Sequence, residues 1–205
     1  MKQQKNTLIA ERKDNMNILV DNVDKIVSSR IPIEINTDFR IGILFELLMQ
    51  DESLSKIAKT TQAINLYYKK PNEIQDLNKA IEDILWFYSC GKDEIAGKSK
   101  KEDNKSKQIY SYEFDAEYIY SAFLTQYGID LQSVKQLHWW KFKAMFEGLK
   151  DDNKIVEIMS YRAIDLSKIK DKEEKARYKK LKKIYALPDM RTAEKKEADF
   201  GKAFW

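Results

Sequence analysis

The stretch of sequence that decides the fold is LHWWKFKAMFEGLK, residues 137–150. On a helix its large apolar side chains would point in nearly every direction; they are Leu137, Trp139, Trp140, Phe142, Met145 and Phe146. A helix that is apolar around most of its circumference lies either in the centre of a core or partly against a partner. The pattern therefore predicts a central helix, which we expect to begin at Asp130 and to end near Leu149.

Amphipathic patterns on both sides of this stretch predict further helices. Their expected ranges are Thr37 or Asp38 to about Met49, about Leu54 to Tyr68, Asn72 to Gly91, Asp115 to Gly128, Asp151 or Asp152 to Arg162, and Asp171 to just before Pro188. Only six glycines and three prolines are present, too few for the many tight turns of a β-sandwich. The predicted fold class is therefore mainly α, in the form of a single helical bundle.

A short stretch near the N-terminus has the alternation of a β-strand instead. Isoleucine alternates with other residues over 31–35, and residues 28–30 separate this run from Lys25-Ile26-Val27. Period-two alternation next to a turn is typical of a hairpin, and Pro32 restricts its strand to a sheet edge. We therefore predict a small N-terminal β-hairpin.

Composition changes along the chain predict how it is organised. Residues 1–15 are polar and aperiodic, which indicates a disordered extension. We expect one helical domain over residues 16–188, interrupted by a mobile, solvated loop at 92–108 that is rich in charges and serines. Residues 189–205 form a mostly polar tail that ends with aromatic residues.

Overall composition indicates a soluble protein of a reducing compartment. Cys90 is the only cysteine, so the chain cannot form an intramolecular disulfide. No run of about 18 apolar residues and no secretory signal is visible, so we expect a cytoplasmic location in a bacterial host cell and no membrane partner. A formal charge of +4 from 37 basic and 33 acidic residues describes a mixed surface rather than a polybasic one.

Residues that could carry chemistry are scarce. The one histidine, His138, and Cys90 show no metal-ligand spacing, and no glycine-rich phosphate loop is present. His138 is better explained as a partly buried histidine bonded to the backbone than as a general base. Four carboxylates are explained as helix caps or solvated side chains: Glu46, Glu113, Asp115 and Glu117. We therefore expect a binding protein rather than an enzyme, with no metal and no cofactor.

The aromatic helix supplies the first candidate binding surface. Trp140 shares a side with Leu137 and Ala144, which we interpret as the inward face. Burial in a core is the more common use of such aromatic side chains, but tryptophan is also frequent at interfaces. We predict that a more exposed stripe binds a partner's amphipathic helix and assign five residues to this partner-binding surface: Trp139, Phe142, Phe146, Tyr161 and Arg162.

A basic segment supplies the second candidate surface. Residues 168–183 contain nine basic and three acidic residues, and the lysines of their last turn could contact a phosphate backbone: Lys179, Lys180, Lys182 and Lys183. The acidic residues lie at the start of this helix and the lysines at its end, which the helix dipole favours without any ligand. Nucleic acid is therefore the less favoured partner.

Several strings, in order, resemble one known family. They are Asp38-Phe39-Arg40, Phe45-Glu46-Leu47-Leu48, Trp86-Phe87-Tyr88, Cys90-Gly91, Ala122-Phe123, Gln126 to Leu131, Leu137 to Phe142, Gly148-Leu149, Tyr161-Arg162 and Tyr185 to Pro188. The chain resembles the gene-product-fifteen proteins of tailed phages and prophages of Gram-positive bacteria. The resemblance covers about residues 38–188, and its most specific string is the one from Leu137 to Phe142.

This resemblance implies a non-virion helper encoded between the major tail protein and the tape-measure protein, where tail assembly chaperones are usually encoded. It brings no catalytic residues with it. The resulting hypothesis is a phage tail assembly chaperone that keeps the tape-measure protein soluble, with the major tail protein as a second candidate partner and self-association left open. The alternative is a structural neck or tail protein of the particle that binds nucleic acid through the basic helix.

Overall fold

The computed structural model describes residues 18–19, 25–28, 31–92 and 108–188, and within these ranges the protein is mainly helical. The helices are α1 (Phe39–Gln50), α2 (Lys56–Tyr67), α3 (Leu77–Tyr88), α4 (Ala116–Tyr127), α5 (Trp139–Glu147), α6 (Lys154–Ala163) and α7 (Lys172–Ile184). The strands are β1 (Lys25–Ser28) and β2 (Ile31–Glu34), and a 3₁₀ turn, Pro71–Glu73, precedes α3. The predicted mainly α class is confirmed.

The predicted hairpin is also present and connects to the helices. β1 and β2 pair antiparallel, with Val27 opposite Pro32. Directly after β2, Ile35 forms a bridge with Tyr68, and the backbone N–H of Asn36 donates to the carbonyl of Tyr67 at 2.7 Å. The chain that leads into α1 is thereby fixed against the end of α2.

Local capping signals place several helix ends where the sequence predicts them. The carboxylate of Asp38 accepts a hydrogen bond from the backbone of Arg40 at the start of α1. The carboxylate of Asp171 does the same for Glu174 at the start of α7, at 2.7 Å. Gly128 ends α4 in the left-handed conformation, with φ 65°, which glycine adopts at little cost.

Two predicted caps differ from the structure by a few residues. Asp76, not Asn72, caps α3, because Pro71 opens a separate 3₁₀ turn that includes Asn72. The carboxylate of Asp76 accepts hydrogen bonds from the backbone N–H groups of Asn78 and Lys79 in the first turn of α3. Asn153, rather than Asp151 or Asp152, precedes the first residue of α6.

The predicted start of the aromatic helix at Asp130 is wrong. The carboxylate of Asp130 accepts from the backbone of Gln132 at 2.9 Å and so closes a turn, and α5 begins only at Trp139. The guanidinium of Arg40 donates to the carbonyls of Leu131 and Val134, both at 2.9 Å. These carbonyls bind a side chain of α1, which holds the segment before α5 in a non-helical path.

α5 lies in the centre of the core, one of the two positions that its sequence allows. Its two tryptophans reach the end of α3, where the last carbonyls lack helical donors. The indole N–H of Trp139 donates to the carbonyl of Tyr88 at 2.9 Å, and that of Trp140 to the carbonyl of Phe87 at 2.7 Å. Two adjacent side chains can therefore both point inward, because both bind the same helix end.

α1 passes α5 at a glycine. A Cβ atom added to Gly42 would lie 2.2 Å from Cε3 of Trp139, which is far inside van der Waals contact. The backbone of α1 therefore rests directly on the indole ring. The starts of the two helices are also joined, because the N–H of Trp139 donates to the carbonyl of Thr37 at 2.7 Å and the N–H of Phe39 to that of Leu137 at 2.8 Å.

Three predictions on organisation fall mainly outside the described residues. These are the disordered extension at 1–15, the mobile loop at 92–108, of which 93–107 are not described, and the tail at 189–205. The single domain over residues 16–188 likewise stays a prediction. None of the helices in the described part of the chain has both the length and the apolar composition needed to cross a bilayer.

Candidate protein-binding cleft

Three of the four aromatic residues assigned to the partner-binding surface lie in the core. Trp139 and Phe142 are 0% exposed and Phe146 is 6% exposed. Phe142 stacks on Phe39 and on Phe123, in each case with ring centroids 4.9 Å apart. The expected exposed stripe is therefore wrong, because helices pack on all of these side chains. Their role in partner binding remains a prediction. It was based on exposure of these side chains, and the structure buries them.

Arg162, the fourth of the assigned residues, is also buried, in an ion pair. Its guanidinium contacts the carboxylate of Asp115 through two hydrogen bonds of 2.5 and 2.9 Å, and the Arg162 side chain is 7% exposed. It also donates to the carbonyls of Ile109 and Tyr185, at 3.0 and 2.6 Å. Arg162 thus joins α6 to the start of α4, to the segment before α4 and to the residue after α7, and it offers little surface to a partner.

Tyr161 is the one assigned residue that keeps partial exposure. Its ring stacks on that of Tyr185, with centroids 5.8 Å apart. The ammonium of Lys154 lies 5.9 Å from the Tyr161 centroid, within reach of a cation–π contact. Tyr161 therefore belongs to a small aromatic cluster between α6 and the end of α7.

The basic residues predicted as a nucleic-acid surface lie on α7, which packs mainly on α6 and has no buried residue. Lys179, Lys180 and Lys183 are exposed. Lys182 differs, because its ammonium donates to the carbonyl of Ile164 at 2.5 Å and is partly buried. The structure therefore brings three of the four predicted lysines to the surface and uses the fourth to hold α7 on the end of α6.

An open apolar cleft of about 550 Å³ lies between α1 and α3. Each helix contributes side chains with i, i+3 spacing, and a tyrosine from the segment before α4 adds a third wall; the lining includes Phe45, Glu46, Met49, Leu85, Tyr88 and Tyr110. The rings of Phe45 and Tyr88 meet at 5.1 Å. Apolar walls with one acid among them are typical of a groove that binds a protein segment or a small apolar ligand.

Glu46 is the one charged residue that lines this cleft among the described residues. The hydroxyl of Tyr88 donates a short hydrogen bond to its Oε2, and the side-chain amide of Gln50 donates to its Oε1 at 3.3 Å. Tyr88 in turn stacks on Trp139 at 5.2 Å. The carboxylate is therefore held in place by an aromatic side chain that is itself fixed in the core.

The two tyrosines of the cleft stay protonated at neutral pH. Burial, followed by the charge of Glu46, raises the pKa of Tyr88 well above its usual value. The same two causes raise the pKa of Tyr110 to about 12. Their hydroxyl groups are hydrogen-bond donors and add no charge to the cleft.

Two of the residues considered for chemistry, His138 and Asp115, make structural contacts. Nδ1 of His138 accepts from the backbone N–H of Trp140 at 3.2 Å and caps α5, which confirms the expected hydrogen bond to the backbone. Asp115 pairs with Arg162, while Glu113 and Glu117 are exposed. Among the described residues no group of three or more His, Cys, Asp and Glu side chains is placed to hold a metal ion.

Sequence reasoning missed the cleft. Glu46 and Met49 share a face of α1, and Leu85 and Tyr88 share a face of α3, so the sequence does show each half. No local pattern shows that these two faces meet, because the residues of each half are about 40 positions from those of the other half. The clearest sequence signal for a binding surface was the composition of α1, FRIGILFELLMQ. Its apolar residues lie on more faces of the helix than one core can cover.

Comparison with known proteins agrees with the resemblance found in the sequence. No curated protein and no solved structure matches the chain significantly. The family model described as Bacteriophage Gp15 protein matches residues 21–187, which is most of the chain and includes every helix from α1 to α7. The chain therefore belongs to the bacteriophage Gp15 protein family.

Proposed function

We propose that the protein is a phage tail assembly chaperone, which binds the tape-measure protein in the cytoplasm of the bacterial host and keeps it soluble until tail subunits assemble around it. The α1–α3 cleft is the observation that carries this proposal. A tape-measure protein is a long helical chain with apolar stripes, and such stripes aggregate unless they are covered. An apolar cleft between two helices is suited to one segment of such a stripe.

Two features of the cleft support reversible binding. Met49 lies at its edge with 39% of its surface exposed, and the flexible thioether adapts to different apolar partners. The cleft is also small, so each contact with the client is weak and can be displaced when the tail tube forms. We accordingly propose a binding protein rather than an enzyme, with the major tail protein as a further candidate partner.

The experiment is co-expression with the tape-measure protein of the same phage, followed by affinity purification of this chain. Met49→Asn should weaken client binding by about 2 kcal/mol, or roughly 30-fold in affinity, and so reduce the co-purified client. The reason is that it places a polar amide against the client's apolar side chains. Met49 is at the surface, so the melting temperature should change little.

Leu124→Asn is the matched control. Leu124 is an apolar residue of α4 with 45% of its surface exposed, and it does not line the cleft. This variant should retain the client at the wild-type level. Equal retention by Met49→Asn and Leu124→Asn would contradict the cleft as the client site, and failure of the wild-type chain to retain any client would contradict the chaperone function.

A structural particle protein that binds nucleic acid is the second candidate, because α7 carries seven basic and two acidic side chains. Three exposed lysines on one helix can contact phosphates, and such binding falls steeply with salt. Changing Lys179, Lys180 and Lys183 together to Gln separates the candidates. Loss of salt-sensitive DNA binding would favour this second function, whereas retention of the client by the same variant favours the chaperone.

A further inference from the structure

We propose that the α1–α3 cleft binds an amphipathic helix of the partner whose apolar stripe contains a lysine or arginine, and that this cation pairs with Glu46. The inference depends on the proposed chaperone function and deepens it, since it specifies the chemistry of the client segment. It rests on the charge and the position of one carboxylate among apolar walls.

Glu46 lies among Phe45, Met49 and Leu85 in the cleft, where a carboxylate is less hydrated than at an open surface. Its hydrogen bonds come from neutral groups, namely the hydroxyls of Tyr88 and Tyr110 and the side-chain amide of Gln50. Among the ion pairs between described side chains, none includes Glu46. A carboxylate in such a place gains more from a cation than an exposed one does, because less water competes with the pair.

Lys143, a basic residue of α5, is already engaged in an ion pair. The ammonium of Lys143 lies 3.7 Å from a carboxylate oxygen of Glu147 and 5.8 Å from the centroid of the Trp139 ring. The electrostatic effects of Glu46 and Glu147 both raise the pKa of Tyr110. The charged side chains that act on Tyr110 are thus both acidic, which is complementary to a cationic side chain.

The shape of the cleft favours a helix as the occupant. Glu46, Met49 and Gln50 follow one another at i, i+3 and i+4 on α1, and Leu85, Tyr88 and the capping residue Ser89 do the same at the end of α3. A groove between two helices with these spacings receives side chains that repeat every three or four residues on a third helix. A stripe with one lysine or arginine among leucines would place its alkyl stem on the apolar walls and its charge at Glu46.

The test uses synthetic amphipathic peptides of about 20 residues, long enough to form several helical turns. One peptide carries a single lysine within its leucine stripe, and the second is identical except that this lysine is acetylated, which removes the charge and keeps the stem. The purified full-length chain should bind the first peptide at least about tenfold more tightly, as a charge-assisted hydrogen bond predicts. Equal binding of the two peptides by the wild-type chain would overturn the proposal.

Glu46→Gln is the decisive variant, because its amide oxygen can still accept from Tyr88 while the charge is lost. It should bind both peptides equally. Glu117→Gln, an exposed position on α4 with the same change in net charge, should keep the wild-type preference. If Met49→Asn abolishes client retention while Glu46→Gln keeps the tenfold preference, the chaperone function stands and the cation pairing is wrong.

Other occupants of the cleft give different results. A dimer that forms with increasing concentration and dissociates on Glu46→Gln would assign the cleft to a second copy of this chain. Peptide binding that appears only after the lysines at 98, 100, 101, 105 and 107 are changed to Gln would assign it to this chain's own segment. Either result overturns the proposal of a partner helix.

Discussion

Replacing Asp115 with Asn should lower the free energy of unfolding by about 3 to 5 kcal/mol. The change keeps the shape of the side chain but leaves the guanidinium of Arg162 buried without its counter-charge. The carboxylate of Asp115 also accepts from the backbone N–H of Ser111 at 2.9 Å, so the segment before α4 is held by the same group. Denaturant unfolding measures the loss, and a fall of roughly 10 °C in melting temperature is the expected thermal equivalent.

Two further variants separate the effect of the buried charge from other causes. Asp115→Leu combined with Arg162→Met removes both charges, so this double variant should be more stable than Asp115→Leu alone. Glu157→Gln breaks the exposed pair with Lys154 and should leave stability nearly unchanged. If Asp115→Asn is as stable as Glu157→Gln, the ion pair does not hold the helices together.

Trp139→Ala should be as destabilising as Trp140→Ala, each by about 3 to 5 kcal/mol, because both leave a cavity in the core. Each change also removes an indole donor from a carbonyl at the end of α3. Circular dichroism during urea unfolding measures both variants on the same scale. A Trp139→Ala protein with near wild-type stability would place this residue on the surface, as its sequence pattern had predicted.

Gly42 provides an independent check on the position of Trp139. Gly42→Ala should destabilise the wild-type protein by about 1 to 3 kcal/mol, because its methyl group would overlap the indole ring. In the Trp139→Ala background the same change should cost clearly less, which a double-mutant cycle detects as coupling. Tyr118→Ala, at a residue 37% exposed on α4, is the control and should change stability little.

Helix positions were predictable where the signal is local. Asp38, Asp171 and Gly128 act within a few residues of themselves, and each lies at the predicted end of a helix. Asp130 has the same type of signal but begins no helix, because Arg40, distant in sequence, binds the carbonyls that follow. A capping residue thus predicts a turn, and tertiary contacts decide whether a helix continues from it.

The candidate site was not predictable, because its halves are joined only by the fold. A helical wheel correctly shows that Trp139 and Trp140 point in different directions. It does not show how many other helices pack around the helix that carries them. α5 contacts α1 and α4, and its tryptophans bind the end of α3, so both directions are inward. Part of the exposed apolar surface lies instead on α1, where Met49 borders the cleft next to Glu46 and sequence reasoning assigned no site.

The most direct test of the proposed function is quantitative mass spectrometry of purified phage particles and of infected-cell lysates from which this chain has been captured. The chaperone account predicts the tape-measure protein with this chain in the lysate, and the tape-measure protein without this chain in the finished particle. A chaperone must be displaced when the tail tube closes around its client. This chain present in particles in a fixed ratio to the tape-measure protein would contradict that account and favour a structural protein.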